Sequence, residues 1–451
     1  MSALPEARTA PVVVLGAGVA GLTAARELRR LGLDVVIYEA SDSVGGMADS
    51  HVDPDGFTFD TGAHFITNRL ATATGVALEC RDVEHYGETV WLDGRTHPYP
   101  LGLLTVPRFL RAALRRRLQH EVAPAPNAAE RFARDYGDAL AEEVAIPLVE
   151  AWSGAPATDL SPAVAEKIPS GIAETVALRA AGRLTRRAVA IGYCREAPQS
   201  ANVWHVYPER GVAMVSEHLA RGLEDDLRLE SPVEAILTES GRAVGVRIAD
   251  RDVPAAAVVS TVPANRLPAL CAEPVLAPLA DLRFRPMVFV NLRFTGRGLL
   301  PDTVTWVPDR DLPFFRLTET PLSMPWLAPE GSTLVTADIG AEVGDVHWTM
   351  DDDALGALCV SAMETIVPGA RAAYQGCRVV RSRLAYPVFH LDWEPARTSL
   401  AAHGTGVGRL VSVGRNGEFA HILMEDVYWR TLRRVRALAD ELHAAQAAFA
   451  A

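Results

Sequence analysis

An α/β fold, built on a parallel sheet and interrupted by inserted segments, is predicted by three observations. A continuous apolar run, Val12-Val13-Val14-Leu15, enters a glycine-rich turn, Gly16-Ala17-Gly18-Val19-Ala20-Gly21. An amphipathic stretch with Leu22, Ala25 and Leu28 on one stripe then leads to a second apolar run, Val35-Val36-Ile37-Tyr38. Strand signals return in the middle of the chain and near its end, with material of different character between them.

The elements follow in order. A run such as Val12–Leu15, apolar on both faces, suits a strand buried in a parallel sheet. The helix predicted from about Gly18 to Leu31 places Arg26, Arg29 and Arg30 off its apolar stripe, and Gly32 ends it. Strand, helix and strand together make one βαβ unit. From about Pro100 to Ala201 the chain is Ala- and Arg-rich, broken by proline, and predicted to be largely helical. Strands return as Leu227-Arg228-Leu229, Val244 to Ile248 and Val258-Val259. Between 286 and 394, short strands (Val288 to Phe294, Thr333 to Ile339) alternate with one helix, Asp353 to Ile366. A last strand, Leu410 to Val413, enters a glycine turn ahead of a terminal helix, Asp426 to Ala448.

At 451 residues the chain exceeds one ordinary hydrophobic core, so at least two domains are expected. The distribution of strands predicts a discontinuous nucleotide-binding domain, residues 1–85, 204–283 and 395–451. The inserts, 86–203 (largely helical) and 284–394, form an α+β substrate domain with a helical subdomain.

The net charge of −12 argues against a nucleic-acid surface, which needs a positive field. Cys80, Cys194, Cys271, Cys359 and Cys377 are scattered, with no CxxC pair. They read as free thiols of a reducing compartment, and no metal site is expected. No signal peptide is visible, and no apolar run approaches the roughly 18 residues that span a bilayer. A cytoplasmic protein is expected. Arg108, Arg111, Arg115, Arg116 and Arg117, with Phe109, Leu110 and Leu114, form a basic amphipathic helix. In an acidic chain this reads as a solvated face, and membrane contact is not expected. Lys167 is the only lysine.

The chemistry starts at the glycine turn. Gly16 permits the tight turn, Gly18 lets the backbone approach a pyrophosphate, and Gly21 lets helix and strand pack closely. The helix N-terminus offers N–H groups and partial positive charge to phosphates. Glu39, at the end of the second strand, can accept from both ribose hydroxyls. This is the Rossmann-type dinucleotide pattern, shared by NAD and FAD proteins.

Glu39-Ala40-Ser41, then Val44-Gly45-Gly46, then Phe57 to Phe65 (FTFDTGAHF) form an extension that NAD enzymes lack. It resembles the superfamily of flavin amine oxidases, protoporphyrinogen oxidases, phytoene-type desaturases and UDP-galactopyranose mutases. The resemblance implies FAD, with Gly45 and Gly46 beside the pyrophosphate and the Gly62-Ala63-His64 turn near the isoalloxazine. Most members carry arginine after the paired glycines; Met47 stands here. Tyr207-Pro208-Glu209-Arg210-Gly211 through Val233 and Ile236 is similar to the family's second FAD segment, with the Val233 backbone meeting adenine. Val259-Ser260-Thr261-Val262-Pro263 resembles the turn that closes over the dinucleotide, which assigns Thr261 and Pro263 to the cofactor. Gly414-Arg415-Asn416-Gly417, with Met424-Glu425-Asp426, is similar to the third segment, a turn and helix N-terminus facing the ribityl chain and the flavin carbonyl edge. Ala20 belongs to the first.

Within this superfamily Trp306-Val307-Pro308, Phe314 to Leu317, Tyr386-Pro387-Val388 and Glu150-Ala151-Trp152 look most like the protoporphyrinogen-oxidase-like and mutase-like branch. Monoamine-type oxidases place a lysine, through a water, against flavin N5. The corresponding strand, Met287 to Leu292, has none.

The predicted activity is a flavin-dependent dehydrogenase or oxidase, with hydride passing from a CH–OH, CH–NH or CH–CH bond of a small polar or secondary metabolite to N5. The alternative is a non-redox sugar mutase. Candidate side chains for catalysis are His64, Arg316, Tyr386 and His421, with His390 a further pocket candidate. Arg316 suits an anionic group, and a neutral histidine suits a departing proton. A small-molecule substrate is the expected partner, and the sequence leaves a homodimer open.

Overall fold

The computed structural model describes residues 10–62, 64–117, 123–167 and 172–450. Val12–Leu15 (β1) lies at the centre of a five-stranded sheet. Its neighbours are Val35–Tyr38 (β2) on one side and Ala257–Ser260 on the other, with Leu227–Arg228 and Leu410–Ser412 at the edges. Every pair in this sheet is parallel. Parallel strands need cover on both faces, which is why β1 is apolar at each position. On one face the helix Val19–Arg30 (α1) packs with the carboxy-terminal helix Met424–Ala450, joining Leu22 and Leu28 to Val435 and Leu438. The other face meets Ile236 and Val246 of an antiparallel three-stranded meander, with Leu267 and Leu276.

The chain leaves β1 for β2 on one side, and Ala257–Ser260 lies on the other. The topological switch point therefore falls at the carboxyl ends of β1 and Ala257–Ser260, where open α/β sheets bind ligands. Leu15 pairs with Ser260 there, so the Gly16 turn and Thr261 leave the sheet side by side.

A second sheet has seven strands, in the order Tyr374–Pro387, Phe284–Thr295, Ser332–Gly340, Arg316–Thr318, Val304–Trp306, Glu88–Leu92 and Arg95–Pro98. Strands from residues 88–98 and from 284–387 share it, joined by the parallel pair of Val304–Trp306 with Glu88–Leu92. Asp352–Met363 covers one face through Leu355, Cys359 and Val360. The helical insert covers the other, packing Phe132, Val149 and Trp152 on Met287 and Phe289.

The helix expected over Asp353 to Ile366 ends at Met363, three residues early. Pro368 and Gly369 follow, and proline disfavours helical geometry in the residue before it. The basic helix is Pro107–Arg117; Arg108 pairs with Asp93 and Glu143 at 2.6 Å each, and Arg116 pairs with Glu130. Among the described residues, no helix is long and apolar enough to cross a membrane. The five cysteines are free thiols.

Candidate functional site

The glycine turn is fixed by close contacts and by side-chain hydrogen bonds from its neighbours. Gly16 sits at φ +100°, and a Cβ there would fall 2.1 Å from Thr261 Oγ1. The Thr261 hydroxyl and N–H both donate to the Leu15 carbonyl, at 2.8 and 2.9 Å, which pins the second turn onto the first. A Cβ at Gly21 would fall 1.9 Å from the Gly16 carbonyl oxygen, so only glycine lets α1 start this close to the turn. Gly18 differs from both. Its φ of −77° suits any residue, and the nearest atom to a Cβ there is Gly45 O, at 3.6 Å. On the protein side this position is open, which leaves room for a ligand to approach the backbone.

Gly18 caps α1 without a side-chain hydrogen bond, and the first turn carries no acidic residue. The first-turn N–H groups have no intrahelical partner, and they point where phosphates bind. Glu39 closes the adjoining side. Its carboxylate accepts from Ala17 N–H at 2.6 Å and Ser41 N–H at 2.9 Å. Ala40 and Ser41 lie exposed at the end of β2. Ser231 N–H donates to the Glu39 carbonyl, which brings the chain leading into Val233–Glu239 alongside.

Two further stretches meet the turn. Gly45 N–H donates to the Ala17 carbonyl at 3.0 Å, and Gly45 pairs with Gly18 as an isolated parallel bridge. A Cβ on Gly46 would lie 3.6 Å from Gly18 Cα. From the far end of the chain, Gly414 at φ +85° approaches α1 so closely that a Cβ would fall 2.9 Å from Ala20 Cβ. Asn416 Nδ2 donates to Met47 Sδ at 3.5 Å and to the Leu384 carbonyl at 3.3 Å. Thus Gly16–Gly21, Glu39–Met47 and Gly414–Gly417 converge around one groove at the switch point, with Thr261 beside Gly16. A glycine whose Cβ would fill the groove, an uncapped helix start and an acid at the end of β2 are the features a dinucleotide requires. FAD fits the residues present.

Glu425 and Asp426 occupy the start of the last helix, but their carboxylates face the protein. Glu425 accepts from Thr67 at 2.7 Å, from Arg69, and from Trp429 Nε1 at 3.2 Å. Asp426 accepts from Arg195 N–H at 2.6 Å. A helix start offers backbone N–H groups, and these two side chains anchor it. Val233 opens a strand of the meander, and Ala63 lies outside the described residues.

Beyond the glycine turns, a second group of side chains gathers around the long strand Phe284–Thr295. Gly62 faces Phe289 of the long strand Phe284–Thr295, 3.3 Å from Phe289 Cε1 to a Cβ placed on the glycine. His64 Nε2 lies 2.9 Å from the Thr61 carbonyl, which selects the tautomer with the proton on Nε2 and leaves Nδ1 an acceptor. Burial lowers the His64 pKa; Asp60 and the Thr61 carbonyl oppose this, while Arg415 and Arg316 add to it. The imidazole is neutral near pH 7.

Arg316 is paired with buried Asp338 and lies over the Trp306 ring, 5.4 Å from its centroid. Burial works to lower its pKa, and the Asp338 carboxylate, Tyr386 and Tyr86 together more than reverse this. Arg415 lies 4.5 Å from the Tyr386 ring centroid. Tyr386 tilts against Trp152 at 5.7 Å, and Trp152 stands edge-on to His421 at 5.0 Å. His421 also meets Phe389 at 4.2 Å. His390 is a helix cap, accepting from Asp392 N–H through Nδ1.

Several neighbouring residues were not singled out from the sequence. Tyr193 donates to Tyr86 at 3.3 Å, and Tyr86 donates to Glu88 at 2.6 Å. Trp306 Nε1 donates to the other Glu88 oxygen at 2.7 Å. Phe65, next to His64, stands edge-on to Tyr86 at 4.7 Å. Burial raises the Tyr86 hydroxyl well above its usual pKa, with Glu88 adding to the effect, so Tyr86 stays a neutral donor. The one available signal was alternation in Tyr86-Gly-Glu88, which also fits any half-buried strand. Among the described residues, no group of three or more His, Cys, Asp or Glu could hold a metal ion.

The family described as flavin-containing amine oxidoreductase matches residues 19–428. Putrescine oxidase of Kocuria rosea is 42% identical over 94 residues, 20% of each chain. Three flavin-containing monooxygenases of Arabidopsis thaliana are matched over only 13% to 35% of their own length. Among solved structures, a reduced UDP-galactopyranose mutase superposes with a TM-score of 0.76 at 18% identity, over 95% of this chain and 93% of that one. Cyclohexylamine oxidase from Brevibacterium oxydans gives 0.70 at 19% identity, over 96% and 99%.

Proposed function

This chain belongs to the flavin-containing amine oxidoreductase family, with FAD as its cofactor, and we propose that it is a dehydrogenase or oxidase acting on a small polar metabolite. The observation that carries the reading is the convergence of Gly16–Gly21, Glu39–Met47 and Gly414–Gly417 on one groove. In this reading residues 1–85, 204–283 and 395–451 form the discontinuous FAD domain. Residues 86–203 and 284–394 form the substrate domain, and substrate enters the cleft between them.

The residues divide the work as follows. The α1 N-terminus, Gly18, Gly45 and Gly46 hold the pyrophosphate, Glu39 the ribose, and the Gly414 turn with the last helix start the flavin end. Bound FAD supplies a hydride acceptor. The chain orients the donor bond, excludes water and manages the proton. Neutral His64, with Nδ1 open as an acceptor, takes a proton from the substrate's O–H or N–H. Arg316 is held in place by Asp338 and Trp306, so it positions substrate without reorganising. Phe289, Trp306 and Trp152 make the walls apolar.

Anaerobic mixing of the FAD-loaded protein with a panel of alcohols, amines and organic acids tests this reading. Loss of the visible flavin band with one of them, together with an oxidised product, is the expected result. Turnover only after chemical reduction of the flavin, with no net oxidation, would instead establish the mutase chemistry.

A further inference from the structure

The cleft has an unusual charge arrangement at its Arg415 end. Among the described residues Arg415 pairs with no carboxylate. It lies over the Tyr386 ring, and its Nε is buried without a hydrogen-bond partner. Arginine does not lose its proton inside a protein, so a cation stands here without a counter-charge. Arg316, close enough to lower the pKa of Arg415, is half engaged. Asp338 takes Nη2, Trp306 lies beneath the plane, and Nε again lacks a partner.

The carboxylates near these arginines are all committed. Asp338 is buried against Arg316. Glu88 takes one donor on each oxygen, from Tyr86 and Trp306. Asp60 is held by Tyr207, Ser50 and the Val212 N–H. His64 is neutral, and the oxidised isoalloxazine carries no net charge. An incoming ammonium group would find two guanidinium groups, and nearby carboxylates that already hold Arg316, Tyr86, Trp306 and Tyr207. An incoming oxyanion would find two unused N–H donors and the missing counter-charge.

We propose that the substrate carries an oxyanion, a carboxylate or a phosphate, which seats between Arg316 and Arg415 beside the Tyr386 and Trp306 rings. This member of the family is thereby built for an anionic metabolite and against a protonated amine. The inference rests on the flavoenzyme reading for the location of substrate. The charge selectivity itself belongs to the chain's own side chains.

Four ligands of one shape test it: benzoate, phenyl phosphate, benzylammonium and neutral benzyl alcohol. Each is titrated into the FAD-loaded protein, reading both the flavin band and the fluorescence of the tryptophans. The anions are expected to bind roughly ten- to a hundredfold more tightly than benzylammonium. Preference for benzoate identifies a carboxylate substrate, and preference for phenyl phosphate a phosphorylated one. Arg415→Met should remove most of the discrimination, and Arg415→Lys should retain part of it. If Arg415→Met does not fold, the wild type still decides: added salt should weaken benzoate and leave benzyl alcohol unchanged. Benzylammonium binding as tightly as either anion, or anion binding insensitive to both salt and Arg415, would overturn the proposal. Failure of the flavin reading would show separately, as protein that takes up no FAD while its tryptophans still report anions.

Discussion

Gly18→Ala separates the demands of folding from those of the ligand, because this glycine is open on the protein side. A methyl group there meets only Gly45 O, at 3.6 Å, an ordinary contact. The backbone, at φ −77° and ψ −178°, is extended and open to any L-residue. Replacing glycine restricts the unfolded chain, worth about 0.4–1 kcal/mol in favour of folding. Alanine is a poorer N-cap than glycine by a comparable amount, so apoprotein stability should change by less than about 1 kcal/mol. The cofactor meets the methyl group at its pyrophosphate. Overpacking costs about 1–3 kcal/mol, and each displaced charge-assisted hydrogen bond roughly another 1.5–3 kcal/mol. A total near 3–4 kcal/mol corresponds to an FAD affinity lower by roughly 10²- to 10³-fold. Gly21→Ala is the control. Its Cβ lies 1.9 Å from Gly16 O, so α1 must shift and the apoprotein itself should be destabilised. Thermal unfolding of each apoprotein and FAD titration by fluorescence quenching decide the matter. Near-wild-type FAD affinity in Gly18→Ala, or apoprotein damage equal to that of Gly21→Ala, would refute the reasoning.

Three other outcomes are expected. Glu39→Ala removes the acceptor of the Ala17 and Ser41 N–H groups and the proposed ribose contact, so FAD affinity should fall by about 10- to 100-fold, readable by the same titration. Asp338→Ala leaves Arg316 buried without its partner and should cost roughly 3–5 kcal/mol in denaturant unfolding, unlike the exposed pair of Arg247 with Asp252. Burial lowers the pKa of fully buried His205 to about 4, from an unfolded value near 6.5. The unfolded state then binds the extra proton first, so this contribution is intact above pH ~6.5 and lost as pH falls towards ~4, a loss of roughly 3 kcal/mol. His205→Phe should flatten that part of the stability–pH curve, and an unchanged slope would count against a neutral buried imidazole.

The glycine turn, β1, α1, β2 and Glu39 were legible in the sequence because each is a local pattern whose spacing has one physical reading. The groove's other walls were legible only as motifs. Met47 was recognised as a departure, but its contact with Asn416 joins residues far apart in sequence, and no local rule announces it. Glu88 shows the limit clearly. Its hydrogen bond from Trp306 depends on the parallel pairing of Glu88–Leu92 with Val304–Trp306, two stretches far apart in sequence. Trp306 was legible only as part of a motif, and the fold makes it the floor beneath Arg316 and a donor to Glu88. Position at the last helix start was visible for Glu425 and Asp426. The direction of their side chains was not, since Thr67, Arg69 and Arg195 reach them from elsewhere in the fold.

Hydrogen exchange of the apoprotein, repeated after adding FAD, tests most directly whether remote stretches of the chain enclose one cofactor. Residues 16–21, 39–47 and 414–426 should gain protection together, at one FAD per chain. Protection confined to the first stretch, or FAD that leaves all three unchanged, would contradict the account.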